Sequence, residues 1–324
     1  MADDSIAVVD LDRCQPDRCN YECANYCPPN RTGEECITKR GEMADDGDPI
    51  EGDPEQIRIS EELCLGETCG ICVEKCPFDA IEIINLPQEL DDEPTHRYGD
   101  NAFALYGLPV PAPGNVTGIL GPNGIGKSTA VKALADELVP NLGEYGGDAD
   151  WEAVLDRYRG SELQNYLTQL IDEDITVARK PQYVDQIPKQ FDGNTRQLLE
   201  QTDERGALDE LVERLSIQPI MDQPIDSISG GELQRVAIAA TLARDADFYF
   251  LDEITPYLDI GQRMVVARLI RELADDPDAE RSMLVVEHDL AILDLLADTL
   301  HVAYGEAGVF GVMTDPKSVR NGIN

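Results

Sequence analysis

Short apolar runs alternate with longer amphipathic stretches from about residue 86 onward in the 324-residue chain. Three runs have the length and composition of buried strands, namely VTGIL (116–120), FYFL (248–251) and SMLVVE (282–287). Three longer stretches have apolar residues at helical spacing and predict helices, namely GKSTAVKALADEL (126–138), GELQRVAIAATLAR (231–244) and QRMVVARLIRELA (262–274). The alternation of strand and helix predicts an α/β domain with a mostly parallel sheet.

The composition of the chain changes near residue 86. All nine cysteines come before residue 77, and they are interrupted by the acidic stretch RGEMADDGDPIEGDPEQ (40–56), which is typical of a solvent-exposed loop. The stretch NLPQELDDEPTHRYGDN (85–101) is punctuated by proline and is typical of a linker. We therefore predict a small cysteine-rich domain over residues 1–85 and the α/β domain over residues 86–324.

The net charge limits the environment and the partners of the chain. Asp and Glu total 64 against 26 Lys and Arg, which gives a formal charge of −38. Self-repulsion of this size destabilises a compact state unless salt screens it, and the screening length falls to about 3 Å near 1 M salt. We therefore expect a halophilic source, the alternative being an acidic protein from ordinary salt. The chain lacks the Lys and Arg clusters of a general nucleic-acid binder, so DNA is not an expected partner, although local contacts with a ribonucleoprotein remain open.

The remaining composition favours a cytoplasmic protein. Hydrophobic residues make up 42% of the chain, which is enough to bury a core, and no stretch approaches the roughly 18 apolar residues of a membrane span. The N-terminal sequence MADDSIAVVDLDRC lacks the basic start and the apolar run of a signal peptide. We expect no membrane partner. Because the cytosol keeps thiols reduced, metal ligation explains the cysteines better than disulfides do.

Eight of the cysteines form two closely spaced runs, and each run ends in Cys-Pro. The runs read C-x4-C-x3-C-x3-C-P and C-x4-C-x2-C-x3-C-P, which is typical of ferredoxin-type chains that bind [4Fe–4S] clusters; zinc or a single cluster is the alternative. In two-cluster ferredoxins the last cysteine of each run ligates the other cluster. By that crossover we predict two ligand sets: Cys14, Cys19, Cys23 and Cys76 for one cluster, and Cys64, Cys69, Cys72 and Cys27 for the other.

Two features of the cysteine pattern depart from this scheme. The first gap of the second run, CLGETC, is two residues longer than in the usual C-x2-C-x2-C-x3-C-P, which leaves the position of Cys64 open without removing a ligand. Cys36 lies outside both runs. It is more simply explained as a buried structural thiol than as a ligand.

A phosphate-binding loop follows the first predicted strand. GPNGIGKST (121–129) fits G-x4-G-K-[ST] and lies between an apolar strand and a helix, which is the context that the motif requires. Its glycines leave backbone N–H groups free to converge on phosphate oxygens, Lys127 supplies a positive charge, and Ser128 offers its hydroxyl to Mg²⁺. We therefore predict ATP and Mg²⁺ as ligands.

Two carboxylates and a histidine follow the other predicted strands. Asp252 and Glu253 end the stretch FYFLDE, where the first can hold Mg²⁺ through water and the second can orient and deprotonate the attacking water. His288 directly follows SMLVVE, where it could sense or position the γ-phosphate. The alternatives are solvated acidic residues and a structural histidine. Their position after apolar strands of a P-loop domain favours the functional interpretation.

The order of these motifs resembles that of an ABC-type ATPase domain. KPQYVDQ then corresponds to the Q-loop with Gln182, SGGELQR (229–235) to the signature, and YLD to the D-loop with Asp259. The resemblance implies head-to-tail pairs of domains, in which the signature of one domain caps the ATP held by the Walker A loop of the other.

The same resemblance implies roles for individual residues. The catalytic residues are Glu253, His288 and Gln182, and the Mg²⁺ ligands are Ser128, Gln182 and Asp252. Either Tyr98 or Phe103 stacks on adenine, the alternative being that both pack in the core. The full set of implied nucleotide contacts is Gly121, Asn123, Gly124, Gly126, Lys127, Ser128, Thr129, Asp252, Tyr98, Phe103, Ser229, Gly230, Gly231, Glu232 and Asp259.

Two cysteine runs ahead of such a domain are a rarer combination. Together with THRYGDNAF, RGSELQNY, KPQYVDQIPK, VVEHDLAILD and SVRNGIN, they resemble the ribosome-recycling ABC ATPases, also called the RNase L inhibitor family, over essentially the whole chain. The resemblance implies a ferredoxin-like iron–sulfur domain acting as a lever, and paired ABC domains that split ribosomes after termination or rescue. It implies two partners, the small ribosomal subunit and a termination or rescue factor. A helix-loop-helix insertion at about residues 150–175 would touch the small subunit, the alternative being an ordinary helical lid.

Two departures from the family pattern qualify this resemblance. The family usually has Asp-Glu-Pro-Ser after the Walker B strand, whereas residues 252–255 here are Asp-Glu-Ile-Thr, which retains the acid and the base and alters only the following loop. Family members continue into a second ABC domain, so we expect the first half of a longer protein, with weak ATP turnover alone; the alternative is a complete protein that pairs with itself or another chain. Two competing functions remain open, an ATPase subunit of a transporter or cluster-assembly complex and an iron–sulfur electron-transfer module.

Overall fold

The computed structural model describes residues 5–10, 13–39, 57–60, 63–85, 93–99, 101–147, 149–172, 175–276, 279 and 281–319. These residues divide into two compact units. The first lies within Met1–Gly107, Pro140–Asp150 and Gly305–Gly311, and the second within Leu108–Val139, Trp151–Tyr304 and Val312–Asn324. The predicted acidic loop at 40–56 and the predicted domain boundary at residue 86 lie outside the described residues, and both remain predictions.

Short strands and helices build the first unit. Strand β1 pairs antiparallel with β4, β2 with β3, and β5 with β6. Apolar side chains of β1 to β4 pack together with buried cysteines into one core. The elements are β1 (Ser5–Val9), α1 (Glu22–Tyr26), α2 (Pro28–Thr32), β2 (Ile37–Lys39), β3 (Ile57–Ile59), α3 (Ile71–Lys75), β4 (Ile81–Asn85), β5 (His96–Arg97) and β6 (Ala104–Tyr106).

The two cysteine runs have the same local fold. A 3₁₀ turn fills the gap between the first two cysteines of each run, at Pro16–Arg18 and at Gly66–Thr68. A residue with left-handed backbone then precedes a five-residue helix, Tyr21 (φ 54°) before α1 and Gly70 (φ 57°) before α3, and the last cysteine of the run ends that helix. The longer gap CLGETC is therefore accommodated as a turn equivalent to the turn of the first run.

A buried asparagine joins the cysteine-rich part to the β5–β6 hairpin. Asn101 is 4% exposed and has left-handed backbone (φ 56°). Its Nδ2 donates to the main-chain oxygens of Ala7 and Ile59, both at 2.9 Å, and its Oδ1 accepts the N–H of Ile59 at 2.8 Å. These three hydrogen bonds tie β1 and β3 to the turn between β5 and β6.

A parallel sheet forms the centre of the second unit. Its strands lie side by side in the order β11-β7-β10-β9-β8, and each neighbouring pair is parallel. Because the strands run in one direction, their carboxyl ends meet at one edge, where ligands of α/β proteins bind. The strands are β7 (Val116–Leu120), β8 (Val177–Lys180), β9 (Phe248–Asp252), β10 (Ser282–Val286) and β11 (Thr299–Glu306), followed by β12 (Phe310–Met313) and by β13 (Lys317–Ser318), which pairs antiparallel with β11.

The helices of the second unit are α4 (Lys127–Leu134), α5 (Trp151–Arg157), α6 (Glu162–Ile171), α7 (Ile187–Gln190), α8 (Thr195–Thr202), α9 (Leu208–Arg214), α10 (Gly230–Leu242), α11 (Ile260–Ala274) and α12 (Leu290–Leu296). Apolar side chains of α10, α11 and α12 pack with those of β7, β9 and β10 in a single core. None of the helices in the described part of the chain has the length and apolar character needed to cross a bilayer.

Helix α4 is shorter than the sequence predicted. It ends at Leu134, whereas the amphipathic pattern predicted a helix to residue 138. Asp136 has left-handed backbone (φ 55°), which a right-handed helix cannot continue. The predicted helix end was therefore wrong, because a polar residue two positions beyond the last helical turn reverses the chain.

Helices α5 and α6 lie where the sequence predicted an insertion at about residues 150–175. Ser161 caps the N-terminus of α6, and its Oγ accepts the N–H of Gln164 at 3.1 Å. Tyr166 of α6 donates from its hydroxyl to the main-chain oxygen of Leu134 at 2.6 Å. This bond fixes the buried face of α6 to the end of α4.

Candidate nucleotide site and cysteine-lined cavities

The loop from Gly121 to Gly126 leaves the carboxyl end of β7 and enters α4. Gly124 (φ 80°) and Gly126 (φ 85°) have left-handed backbone, which glycine adopts without steric cost. Gly121 is needed for a different reason, because a β carbon there would lie 2.3 Å from the main-chain oxygen of Ala303 on β11. The loop therefore passes close to β11 before the first turn of α4, whose N–H groups are available to an anion.

The ammonium group of Lys127 folds back over this loop. Its Nζ donates to the main-chain oxygens of Gly121 at 2.8 Å and Pro122 at 2.6 Å. Burial lowers the pKa of Lys127, and the carboxylates of Asp252 and Glu253 oppose that effect. A phosphate group in the loop would offer this ammonium charged acceptors, which form stronger hydrogen bonds than carbonyl oxygens do.

Asp252 ends strand β9 with a buried carboxylate. Its side chain is 3% exposed, and within the described structure its Oδ2 has no hydrogen-bond partner. Burial raises the pKa of Asp252, and the neighbouring Glu253 raises it further. A buried oxygen without a partner is costly unless a donor or a cation satisfies it. Asp252 therefore fits the predicted role of a Mg²⁺ ligand.

The carboxylate of Glu253 lies between the two other residues predicted to be catalytic. Its Oε1 accepts a hydrogen bond from Nε2 of Gln182 at 3.3 Å and lies 3.6 Å from Nε2 of His288. The backbone of Glu253 is left-handed (φ 49°), a conformation that costs free energy and is concentrated at functional sites. The structure therefore brings Gln182, Glu253 and His288 together at the carboxyl edge of the sheet.

Lys180, which no sequence motif marked as a site residue, also supports this edge of the sheet. Lys180 is fully buried, and its Nζ donates to the main-chain oxygens of Asp252 at 2.8 Å and Pro181 at 3.0 Å. Burial lowers the pKa of Lys180 to about 8. The strand VARK gave little signal, because Arg179 and Lys180 both carry charge and only Lys180 of the two is buried.

Gln234 and Glu287 also support this edge, and no sequence motif marked either as a site residue. Gln234 is 1% exposed on α10, and its Nε2 donates to the main-chain oxygens of Glu253 at 2.8 Å and Ile254 at 3.1 Å. Glu287 is 2% exposed and follows β10. Its carboxylate accepts the N–H groups of Ile254 and Thr255. The sequence feature that could have indicated both residues is a polar side chain within an otherwise apolar stretch.

The signature stretch begins helix α10 with a capping box. The N–H and the hydroxyl of Ser229 donate to Oε2 of Glu232 at 2.8 and 2.6 Å, and the Ser229 hydroxyl oxygen accepts the N–H of Glu232 at 3.4 Å. The Ser229 hydroxyl lowers the pKa of Glu232. Ser229 and Gly230 are exposed. Between residues that the structure describes, no hydrogen bond joins the signature to the loop at 121–126.

The D-loop passes against the start of α10. A β carbon on Gly231 would lie 2.8 Å from the main-chain oxygen of Tyr257, so only glycine fits at this position without displacement. Tyr257 itself has left-handed backbone (φ 64°) and is 73% exposed. Asp259 follows and caps α11, where its Oδ1 accepts the N–H of Gln262 at 2.8 Å.

The aromatic residues predicted to stack on adenine both lie in the first unit. Tyr98 is 45% exposed, and its ring centroid lies 6.4 Å from that of Phe103. The ring of His96 packs edge-on against Tyr98, with centroids 4.7 Å apart. Contact of Tyr98 or Phe103 with adenine remains a prediction.

The cysteines line two separate cavities in the first unit. Cys14, Cys19, Cys23 and Cys76 line one of them, together with apolar residues such as Ile57 and Phe78. The cysteines that line the other are Cys27, Cys36, Cys64, Cys69 and Cys72. Each cavity therefore holds one of the two predicted sets of four thiols, and Cys36, which is 2% exposed, is a fifth thiol in the second cavity.

The chemistry of these thiols fits clusters better than single ions. Among the described residues, no three Cys, His, Asp or Glu side chains converge closely enough to hold one metal ion. Burial raises the pKa of Cys23 to about 12 and that of Cys72 to about 11. Soft thiolate donors spread around an apolar cavity suit an iron–sulfur cluster, whose binding releases the thiol protons.

Two family models match the chain. A model described as "ABC transporter" matches residues 111–256, and one described as "Possible Fer4-like domain in RNase L inhibitor, RLI" matches residues 4–35. The ABC transporter E family member 1 of Arabidopsis thaliana is 46% identical over 319 residues, which cover 98% of this chain and 50% of the relative. The translation initiation factor RLI1 of Saccharomyces cerevisiae is 44% identical over 326 residues, with 98% and 51% covered. The chain spans about half the length of the curated relatives that it matches.

Solved structures give the same result. A structure described as "Model of ribosome-bound archaeal Pelota and ABCE1" superposes with a TM-score of 0.87 at 50% identity, covering 99% of this chain and 51% of the other. A complex of an archaeal ribosomal stalk protein, aP1, with the archaeal ribosome recycling factor aABCE1 gives a TM-score of 0.69 at 53% identity, covering 73% and 45%. Similarity therefore extends over nearly the full length of this chain.

Proposed function

Because the chain belongs to the RNase L inhibitor family of ABC-type ATPases, we propose that it acts in ATP-driven ribosome recycling, the splitting of ribosomes into subunits after termination or rescue. The observation that carries the ATPase assignment is the meeting of Gln182, Glu253 and His288 next in the fold to Asp252, whose Oδ2 has no hydrogen-bond partner within the described residues. The ribosome assignment comes from the relatives, one of which is ribosome-bound and another a ribosome recycling factor.

The residues at the carboxyl edge of the sheet have separate roles in ATP hydrolysis. The N–H groups of the loop at 121–126 and the ammonium of Lys127 bind the phosphates. Ser128, Gln182 and Asp252 would hold Mg²⁺, which neutralises phosphate charge when bound. Glu253 accepts the proton of the attacking water in this proposal, because its carboxylate is partly exposed and contacts Gln182 and His288. Gln182 and His288 orient that carboxylate through Oε1.

The signature serves a different nucleotide. Ser229 and Gly230 are exposed at the N-terminus of α10, and their hydrogen bonds stay within its first turn. They are therefore accessible to ATP held by a second ABC domain, with Gly231, Glu232 and Asp259 as the further contacts of the same site. The carboxylate of Glu232 would repel phosphate. Its role in this proposal is therefore to hold Ser229 at the start of α10 through their hydrogen bond.

The cysteine-rich part holds two [4Fe–4S] clusters in this proposal, one in each cavity. The predicted ligand sets line the two cavities separately, and the surrounding side chains are apolar. The clusters make this part rigid enough to act as a lever on the ribosome. Helices α5 and α6 contact the small subunit, and the complex includes a termination or rescue factor.

Subunit splitting tests the proposed function. The chain is joined to a second ABC-type domain from a relative, mixed with ribosomes, a termination or rescue factor and ATP, and the products are separated on a sucrose gradient. We expect subunits with the wild-type chain and intact ribosomes with Glu253→Gln, whereas Glu200→Gln, a substitution at an exposed position on α8, should split as well as wild type. Splitting by Glu253→Gln at the wild-type rate would refute the assignment of the base.

The proposed setting is a cytoplasm of high salt. The formal charge of −38 needs screening to remain compact. Thermal melts in low and in multimolar KCl test this. A melting temperature that rises with KCl supports the proposal, and equal stability in both would contradict it.

A further inference from the structure

We propose that Glu287 is a positioning residue that, together with Arg263, fixes the segment of His288 to the D-loop segment. The D-loop segment is residues 254–259, and the switch segment is residues 287–289. This inference rests on the proposed function, in which the D-loop segment faces a second ABC domain. Contact of that domain with the D-loop segment then sets the position of His288 beside Glu253.

Five donors converge on the buried carboxylate of Glu287. From the D-loop segment, Oε2 accepts the N–H groups of Ile254 at 3.1 Å and Thr255 at 3.0 Å, and Oε1 accepts the hydroxyl of Thr255 at 2.8 Å. From the switch segment, Oε1 accepts the N–H groups of His288 at 2.8 Å and Asp289 at 3.3 Å. One carboxylate therefore binds the start of both segments.

Arg263 of α11 provides a second link between the same segments. Its Nε donates to the main-chain oxygen of Leu258 at 3.0 Å, in the D-loop segment. Its Nη1 donates to Oδ2 of Asp289 at 2.9 Å, and Asp289 is the N-cap of α12. The two segments are thus joined at both ends.

The link acts on His288 more than on Glu253. The backbone N–H of Glu253 donates to the oxygen of Val286 at 2.9 Å, so the sheet holds Glu253 independently. His288 follows Glu287 directly and depends on the link for the 3.6 Å approach of its Nε2 to Oε1 of Glu253. Loss of the link therefore misplaces the histidine while the base stays in place.

Isoleucine at position 254 contributes to this link. Its N–H group donates to Glu287, and a proline at this position would have no N–H group to donate.

Steady-state ATPase kinetics test the proposal, with the chain joined to a second ABC-type domain. Glu287→Gln keeps the shape of the side chain but replaces an acceptor oxygen with a donor, so we expect kcat to fall about 10- to 100-fold with KM for ATP changed less than about twofold. Arg263→Lys should give a smaller fall of the same kind. The matched controls are Glu272→Gln and Arg271→Lys on α11, which lie in surface ion pairs and should keep wild-type kinetics.

A double-variant cycle separates positioning of His288 from a general structural role. In a His288→Ala background, Glu287→Gln should lower kcat by less than about twofold, because the link then has no histidine to position. If the two losses of kcat multiply in the double variant, the proposal is wrong. It is also wrong if KM rises in parallel with the fall in kcat. Should Glu287→Gln not fold, Thr255→Val removes a single donor; we expect about a 3- to 10-fold loss of kcat, and unchanged kcat would count as refutation.

Hydrogen exchange keeps this test independent of the proposed function. The amides of residues 254, 255, 288 and 289 should be protected in the wild-type chain and should lose protection together, by about tenfold or more, in Glu287→Gln. If the wild-type chain neither turns over ATP nor splits ribosomes, the proposed function fails while exchange still decides the link. If wild type is active and neither kinetics nor exchange changes in the variant, only the link fails.

Discussion

The main-chain oxygen of Tyr257 lies so close to Gly231 that a β carbon on the glycine would be 2.8 Å away from it. The same addition at Gly230 would meet only the Tyr257 ring, at 3.6 Å, which is ordinary contact. Of these two adjacent glycines of the signature, Gly231 therefore has a structural reason to be glycine, whereas Gly230 has room for a β carbon.

This difference predicts opposite effects of two alanine substitutions. Gly231→Ala should destabilise the chain by about 1–3 kcal/mol, because backbone must move to admit the methyl group. Gly230→Ala should be neutral or stabilise by up to about 1 kcal/mol, because alanine favours the helix. Urea unfolding of both variants measures the difference. Equal losses of unfolding free energy in the two variants would show that the D-loop backbone moves to admit the methyl group at little cost.

Asp252→Asn should separate stability from function. The carboxylate is buried and its Oδ2 has no partner among described residues, so the neutral amide should raise the free energy of unfolding without nucleotide by about 1–3 kcal/mol. The same variant should lose most of the stabilisation that wild type gains from Mg²⁺ and ATP. Melting curves with and without Mg-ATP measure both effects.

The control for this prediction is Asp245→Asn, at the exposed position before strand β9. It should change neither the stability nor the response to Mg-ATP by more than about 0.5 kcal/mol. A destabilised Asp252→Asn would show that the carboxylate has a donor in the folded chain.

The crossover of cysteines predicts an unusual pattern of iron loss. Cys27→Ser with Cys72→Ser removes ligands from one cavity and should leave about half of the iron, as each single variant does. Cys23→Ser with Cys27→Ser, although the residues are neighbours in one run, removes a ligand from each cavity and should leave little iron. Iron and sulfide analysis of the purified variants measures this.

Cys36→Ser is the comparison variant for the cysteine series. Cys36 lies in the second cavity beside the four predicted ligands, and we expect its iron content to equal that of wild type. If the pair from one run retained half of the iron and the pair from one cavity lost all of it, ligation would follow the runs and the crossover would be wrong.

His301 predicts a dependence of stability on pH. Its Nδ1 lies 2.7 Å from the main-chain oxygen of Thr314, and its Nε2 accepts the N–H of Val110 at 3.2 Å, so the ring is neutral. Burial lowers the pKa of His301. Below about pH 6.5 the unfolded chain binds a proton that the folded chain does not, so stability falls as pH falls from there toward the folded pKa, by about 1 kcal/mol per unit.

Comparison with His301→Gln isolates this contribution. Acidic groups also titrate, so the quantity to measure is the difference in unfolding free energy between wild type and variant at pH 7.5 and at pH 5.5. We expect wild type to lose more stability over this interval. Parallel pH curves would show that His301 is protonated in the folded chain.

The parts of the fold that the sequence predicted best are those that local physics determines. The α/β fold of a P-loop ABC-type ATPase domain with a Fer4-like domain ahead of it is confirmed. The bounds of β7 agree with the apolar run because Asn115 precedes it and Gly121 and Pro122 follow it, and α10 begins at Gly230 because Ser229 and Glu232 form a capping box. The end of α4 was wrong, because the left-handed backbone of Asp136 has no signature in the amphipathic pattern.

Sequence motifs predicted the residues of the site, but they did not predict the buried residues that hold the site in place. Gln182, Glu253 and His288 are widely separated in the chain, and motif order alone indicated that they meet. Lys180 and Glu287 act through hydrogen bonds to main-chain atoms of other strands and loops, and such contacts follow from the tertiary structure alone. A buried charged residue such as Lys180 or Glu287 needs a hydrogen-bond partner, but the sequence does not identify which residue that partner is.

In the proposed arrangement, the exchange of the last cysteine between the two runs would also order events during protein synthesis. The set around the second cavity would be complete once Cys72 has left the ribosome, whereas the set that starts at Cys14 would wait for Cys76. Neither run supplies all four thiols of one cavity, so a chain interrupted before residue 72 would have no complete ligand set. With one cluster in each cavity, the earliest cysteine to be translated belongs to the last cluster to be completed.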